Sequence, residues 1–232
     1  MNQQLYPRAV VFDLDGLMFN TEELYDHVGQ ILLERRGGRF TPELKRKMMG
    51  LPGNVSLQVM IDHHGLRDTV HQLQQESDEL FADLLPARLA PMRGLDQLLA
   101  ALEEAEVPKA IATSSHRRFT SAVLGRFQLE PRFRFVLTSA DVVQGKPYPE
   151  IYLTAAGRFG VHPSDLLVLE DSENGCRAAV AAGARTVAVP GEHSRDHDFR
   201  GAHLVAEHLA DPRIFHALGL TAPALDALTP PA

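Results

Sequence analysis

Four short segments, far apart in the chain, carry the residue types that could do chemistry. Asp13 and Asp15 end the apolar run Ala9-Val10-Val11-Phe12, and Gly16 follows them. Thr113-Ser114-Ser115 ends the run Lys109-Ala110-Ile111-Ala112, Lys146 stands in Gly145-Lys146-Pro147, and Glu170-Asp171 ends Leu166-Leu167-Val168-Leu169. A sheet gains no stability from carboxylates at such places, because isolated buried charges are costly or neutralise. If the segments meet, Asp13, Asp15, Glu170 and Asp171 face the lone ammonium of Lys146, an excess that a divalent cation or retained protons must correct. Carboxylate oxygens without Cys or His beside them select Mg²⁺ over Zn²⁺. The same ion can polarise and orient a phosphoryl oxygen. The Thr113 hydroxyl, with the N–H groups of Ser114 and Ser115 opening a helix, can bind the remaining phosphoryl oxygens. Duller uses exist: Thr113 as a helix cap, Lys146 as a solvated loop charge, Ser172 and Asn174 as cap and turn residues.

These residues converge only if the elements behind them form one sheet. Each apolar run is short, lacks polar alternation and stops at a polar group, the pattern of a strand buried on both faces of a parallel sheet. Further strands are expected at 135–138 and 186–189, the last closing the series at Pro190. Helical patterns at about 94–106, 117–127, 149–159 and 174–182 alternate with the strands, so the sheet is wrapped on both faces with right-handed crossovers. Ligands of such a sheet bind outside the carboxyl ends of its strands, where all four segments lie. Residues 20–85 instead read as helix throughout. Asn20 and Glu23 suggest a capping box, the first helix runs to Gly37-Gly38, and others start near Thr41, Val55 and Asp68. Pro86 to Pro91 should close this block.

Length and composition admit one α/β domain with a smaller insertion: 232 residues, 44 % hydrophobic and 23 % charged. A formal net charge of −7 gives no basic face for nucleic acid or an anionic membrane. The single cysteine, Cys176, suits a reducing compartment and reads as a small apolar helix residue rather than a nucleophile. No stretch resembles a signal peptide or a membrane span, so a cytoplasmic protein, monomeric or weakly dimeric, is expected. His193 and His197 stand four apart without the intervening glutamate of a metalloprotease, and read as solvated loop residues.

Taken together and in order, Asp13-Leu14-Asp15-Gly16, Ala112-Thr113-Ser114-Ser115, Gly145-Lys146-Pro147 and Glu170-Asp171-Ser172 with Asn174-Gly175 resemble the four motifs of the haloacid dehalogenase-like superfamily. The helical block resembles the cap of its β-phosphoglucomutase-like and phosphoglycolate-phosphatase-like group. The resemblance implies an α/β fold with a Rossmann-like parallel sheet core (1–16 and 91–220), an inserted all-helical cap (17–90) and a loosely held tail (221–232). It further implies that Asp13 is the nucleophile, Asp15 the acid and base, and Thr113 and the Ser114 amide the phosphoryl clamp. Lys146 would offset charge. Mg²⁺ would be held by the Asp13 carboxylate, the Asp15 main-chain carbonyl and Asp171, with Glu170 close by or acting through water.

Departures from the family pattern narrow the reaction. Asp15 argues against true dehalogenases, which lack that second acid. Phosphonatases use a cap lysine for which this chain offers no counterpart after Gly50. β-Phosphoglucomutases carry a hinge histidine where this chain has Tyr25 and a cap arginine where it has Gly53. A phosphomonoesterase acting on a small phosphate ester is therefore expected, with a phosphomutase and a non-catalytic phosphometabolite binder as the alternatives. Leu17, Met18, Phe19 and Tyr25 are expected at the cap side of the entrance, although Met18 and Phe19 suit a core equally well. The loop from Gly50 to Gly53 is expected to read the leaving group.

Overall fold

The computed structural model describes residues 6–48, 51 and 53–222. The chain runs β1 (Ala9–Phe12), α1 (Thr21–Glu34), α2 (Pro42–Met48), α3 (Gly53–His64), α4 (Val70–Arg88), α5 (Leu95–Glu104), β2 (Lys109–Ala112) and α6 (Arg117–Arg126). It continues β3 (Val136–Leu137), α7 (Glu150–Phe159), β4 (Leu166–Glu170), α8 (Glu173–Ala181), β5 (Arg185–Ala188), β6 (Leu204–Val205) and α9 (Pro212–Leu218). The strands form one parallel sheet in the order β3-β2-β1-β4-β5-β6. The sheet is parallel and Rossmann-like, as expected, and its order puts the crevice at the reversal beyond the end of β1.

Register decides where the functional segments emerge. Phe12 lies opposite both Ile111 of β2 and Leu169 of β4, so the residues after these strands leave the sheet at one edge. Alternation places β1 in two cores. Val10 and Phe12 pack with the leucines of α5 and with Val123 and Ile214, while Ala9 and Val11 pack with Ile151, Tyr152 and the alanines of α8. A one-residue slip would send Val10 and Phe12 into the alanine-lined core and Ala9 and Val11 into the other, which fixes Asp13 in place.

The helices α1 to α4 lie between β1 and α5, and Arg36 ties them by bonding Asp68 and Glu76, each at 2.7 Å. Several details differ from the sequence reading. Asn20 makes no cap; its amide bridges the two ends of the block, accepting from Ala90 N–H at 2.7 Å and donating to the Arg88 carbonyl at 3.2 Å. Helix α4 runs through Pro86, whose carbonyl accepts from Arg126, and ends at Arg88. The series does not close at Pro190: β6 adds a sixth strand beside β5, too short for any periodicity to reveal. Met18 and Phe19 are fully buried, Phe19 stacking on Phe127 with centroids 5.0 Å apart, so both are core. Of the Gly50–Gly53 loop, residues 50 and 52 lie outside the described residues, as do 223–232 of the expected tail. Among the described residues, no helix is long and apolar enough to cross a membrane.

Candidate active site

The site starts from a turn that only glycine permits. After Asp15 the chain reverses, with Gly16 at φ 73° and its N–H donating to the Phe19 carbonyl at 3.0 Å and to Thr21 Oγ1 at 3.2 Å. A side chain at Gly16 would also run into the Asp171 carboxylate. Left-handed backbone and close approach thus demand the same residue.

The expected residues meet at the sheet edge, in two groups. The first surrounds Lys146, buried after β3. Its ammonium bonds Asp13, Glu170 Oε1 at 2.6 Å and the Ala112 carbonyl at 2.9 Å, which uses all three donors. Glu170 has no exposed surface; it also accepts from the Tyr152 hydroxyl at 2.5 Å and the Ser172 hydroxyl at 3.1 Å. Ser172 caps α8 by accepting from Gly175 N–H, and a side chain at Gly175 would overlap the Glu170 carboxylate. Asp171 completes the group, and one oxygen each from Asp13, Glu170 and Asp171 lie within 4.8 Å of one another.

Three carboxylates against one ammonium leave two negative charges in a buried space. Burial holds the Asp13 carboxyl well above the usual carboxylate range against the pull of Lys146, with Glu170 and Asp15 adding to the rise, and burial with Asp13 and Glu170 does the same for Asp171. Burial opposes the charge on Lys146, but Asp13 and Glu170 outweigh it and hold the ammonium above its ordinary range. Such a set fits a hard divalent cation, which neutralises the excess with oxygen donors alone. Glu170 already accepts several bonds, so Asp13 and Asp171 are the donors best placed to ligate directly.

The second group surrounds Asp15. Its Oδ2 accepts from Thr113 Oγ1 at 2.9 Å and Ser115 Oγ at 2.7 Å, while its Oδ1 is buried without a hydrogen-bond partner. Tyr25 of α1 reaches Ser115 Oγ at 3.3 Å and packs with Phe81 and Phe119, joining the helical block to α6. Ser114 and Ser115 precede the helix rather than opening it, because His116 is its cap. Of the two amides expected free, that of Ser115 donates to Thr113 Oγ1 at 3.0 Å; that of Ser114 makes no bond among the described residues, on an exposed residue. The Asp15 carboxylate is not part of the trio that could hold a metal.

Sequence reasoning missed Tyr152, Glu22 and the bond of the Ser115 hydroxyl to Asp15. Glu22, in the first turn of α1, is half-buried, and burial with Asp15 pushes its carboxyl up to about 7. Burial likewise pushes the Cys176 thiol upward, as suits a packing residue. His193 receives Lys45 at 2.9 Å, and His197 accepts from Glu173 N–H. Cavities of about 490 Å³ beside Asp26 and Lys45 and about 750 Å³ beside Gly16 and Arg195 flank the carboxylates without including Asp13.

Comparison with known proteins gives a consistent result. Residues 10–189 match the family model described as haloacid dehalogenase-like hydrolase. A probable pseudouridine-5′-phosphatase of Drosophila melanogaster is 36 % identical over 207 residues, covering 87 % of this chain and 89 % of the relative. A phosphorylated carbohydrates phosphatase of Thermotoga maritima is 31 % identical over 183 residues, covering 77 % and 83 %. Among solved structures, CbbY from Rhodobacter sphaeroides in complex with phosphate superposes with a TM-score of 0.79 at 26 % identity, covering 88 % of this chain and 95 % of that one.

Proposed function

The chain belongs to the haloacid dehalogenase-like hydrolase family, and we propose that it is a Mg²⁺-dependent phosphomonoesterase acting on a small phosphorylated metabolite through an aspartyl-phosphate at Asp13. The observation that carries this is the convergence of Asp13, Glu170 and Asp171 around one buried ammonium, beside a second acid with an unbonded oxygen. The names of the relatives point to a sugar or nucleoside as the leaving group.

Each residue has a task. Asp13 and Asp171, with the Asp15 main-chain carbonyl, would hold Mg²⁺, and Glu170 would support them. The ion supplies neutralising charge and polarises the phosphoryl oxygens. Asp13 attacks phosphorus in line, and the bond to the leaving oxygen breaks as the aspartyl bond forms. Asp15 gives its proton to that oxygen, then takes one from the water that attacks the phosphoenzyme and frees inorganic phosphate. Thr113 holds Asp15 in position, and the Ser114 amide is open to a phosphoryl oxygen. Lys146 steadies charge on Asp13 and on the group being transferred. Helices α1 to α4 act as the cap, excluding bulk water and large polymers.

The test is phosphate release from sugar, nucleotide and short-acid phosphates with Mg²⁺, and again in excess chelator. Metal-dependent release supports the proposal. Full activity in chelator, or binding of these esters without release, contradicts it.

A further inference from the structure

Glu22 brings to the site a carboxylate that the phosphoryl chemistry does not use. A methyl group built on Gly16 would lie 3.5 Å from Glu22 Cγ and would clash with Asp171, so both acids stand beside the same glycine. The charges of Asp15, Lys45 and Asp26 bear on Glu22, which in turn bears on Asp171 and Tyr25. Glu22 thus sits between the helical block and the metal-binding edge. Its side chain makes no hydrogen bond among the described residues and keeps access to solvent. A glutamate in a first helical turn is ordinarily explained by the helix dipole. That explanation fits an exposed position and gives no reason to hold the group over Gly16.

The lysines nearby are already engaged; Arg93 and Arg195, which make no side-chain hydrogen bond among the described residues, line the cavity beside Gly16 but are not among the charges that bear on Glu22. Lys45 bonds Asp26 and His193, and Lys146 bonds Asp13, Glu170 and the Ala112 carbonyl. A leaving group with a second carboxylate or phosphate would therefore face Glu22 with no uncommitted ammonium to answer it, and like charges in contact are strongly disfavoured. A hydroxyl group would instead donate to a carboxylate that lacks a partner. We infer that Glu22 is a specificity-determining residue that accepts hydrogen bonds from the leaving alcohol, selecting neutral polyhydroxylated phosphate esters over esters carrying a second anion. This rests on the phosphomonoesterase proposal.

The test compares the whole protein with Glu22→Gln, Glu22→Ala and Glu22→Lys, measuring kcat and KM separately with Mg²⁺ at pH 8, where the Glu22 carboxyl is largely ionised. Substrates are glycerol 3-phosphate, a hexose 6-phosphate, a nucleoside 5′-monophosphate, phosphoglycolate, phosphoethanolamine and p-nitrophenyl phosphate. The wild type should favour the best hydroxylated ester over phosphoglycolate by about 100-fold or more. In Glu22→Ala the loss on that ester should exceed the loss on p-nitrophenyl phosphate by about 10- to 100-fold and fall mainly on KM, with Glu22→Gln intermediate. Glu22→Lys should shift preference toward phosphoglycolate. Equal losses on every ester, or a wild type that prefers phosphoglycolate or phosphoethanolamine, would overturn the inference while sparing the phosphomonoesterase. No phosphate from any ester would overturn both.

Discussion

The two sides of the chamber are built differently. On the sheet side, Asp13, Lys146, Glu170 and Asp171 are buried and interlocked, and Tyr152, Ser172 and Gly175 fix Glu170 from behind. On the helical side, Glu22, Tyr25 and Lys45 are half-buried, and the polar links across the seam are partly exposed ones, such as Tyr25 to Ser115, Lys45 to His193, Asp78 to His116 and Arg118, and Arg126 to the Pro86 carbonyl. Phosphoryl transfer needs charges held still, whereas choosing and releasing a substrate needs contacts that can open. A low-dielectric interior makes each sheet-side interaction strong and each removal costly; the seam is neither.

The sharpest way to break this contrast is at Asp13. Asp13→Asn should lower kcat/KM for an aryl phosphate by about 10⁴-fold or more, with the thermal unfolding transition retained. Lys146→Met comes next. It strands Asp13 and Glu170 as unpaired buried acids, a loss of about 3–5 kcal/mol, so Tm should drop by roughly 10 °C in calorimetry as activity falls by about 10²- to 10³-fold.

Metal removal sharpens the comparison without mutation. Folding raises the carboxyls of Asp13, Asp171 and Glu22, so between about pH 5 and 8 the folded state holds more protons than the unfolded state. Stability of the metal-free protein should therefore fall as pH rises through this window. Saturating Mg²⁺ should flatten the fall and raise Tm at pH 8, measured by scanning calorimetry with and without chelator. The smallest effect belongs to the seam. Lys45→Met should change stability by no more than about 1 kcal/mol in urea unfolding, because it removes a partly exposed pair. A loss as large as that of Lys146→Met would erase the distinction between the two sides.

Legibility followed the same division. Five of the strands, their parallel direction and the residues at their ends were readable, because a strand buried on both faces leaves an apolar run and a polar stop. Partners that act at a distance left no such mark. Tyr152 reads as one more apolar helix position until Glu170 is placed beside it, and Ser115 reads as an open amide until Thr113 turns back onto it. Asn20 has the residue type and spacing of a cap, yet the block's far end competes for its amide and prevails. Pro86 looks like a stop, but it falls in the last turn of α4, where its ring and missing N–H disturb little, and the helix continues to Arg88. Helix α9 did carry local signals, Asp211 as cap, Pro212 at the first position and Gly219 at φ 74°. Two-residue β6 carried none.

Rapid quenching tests the central claim most directly. The protein is mixed with Mg²⁺ and excess phosphate ester, quenched in acid within the first turnovers, and its peptides are weighed. The expected result is the mass of one phosphoryl group on the peptide bearing Asp13, absent in Asp13→Asn and lost on further incubation with release of phosphate. Steady phosphate release with no adduct at Asp13, and undiminished in Asp13→Asn, would contradict it.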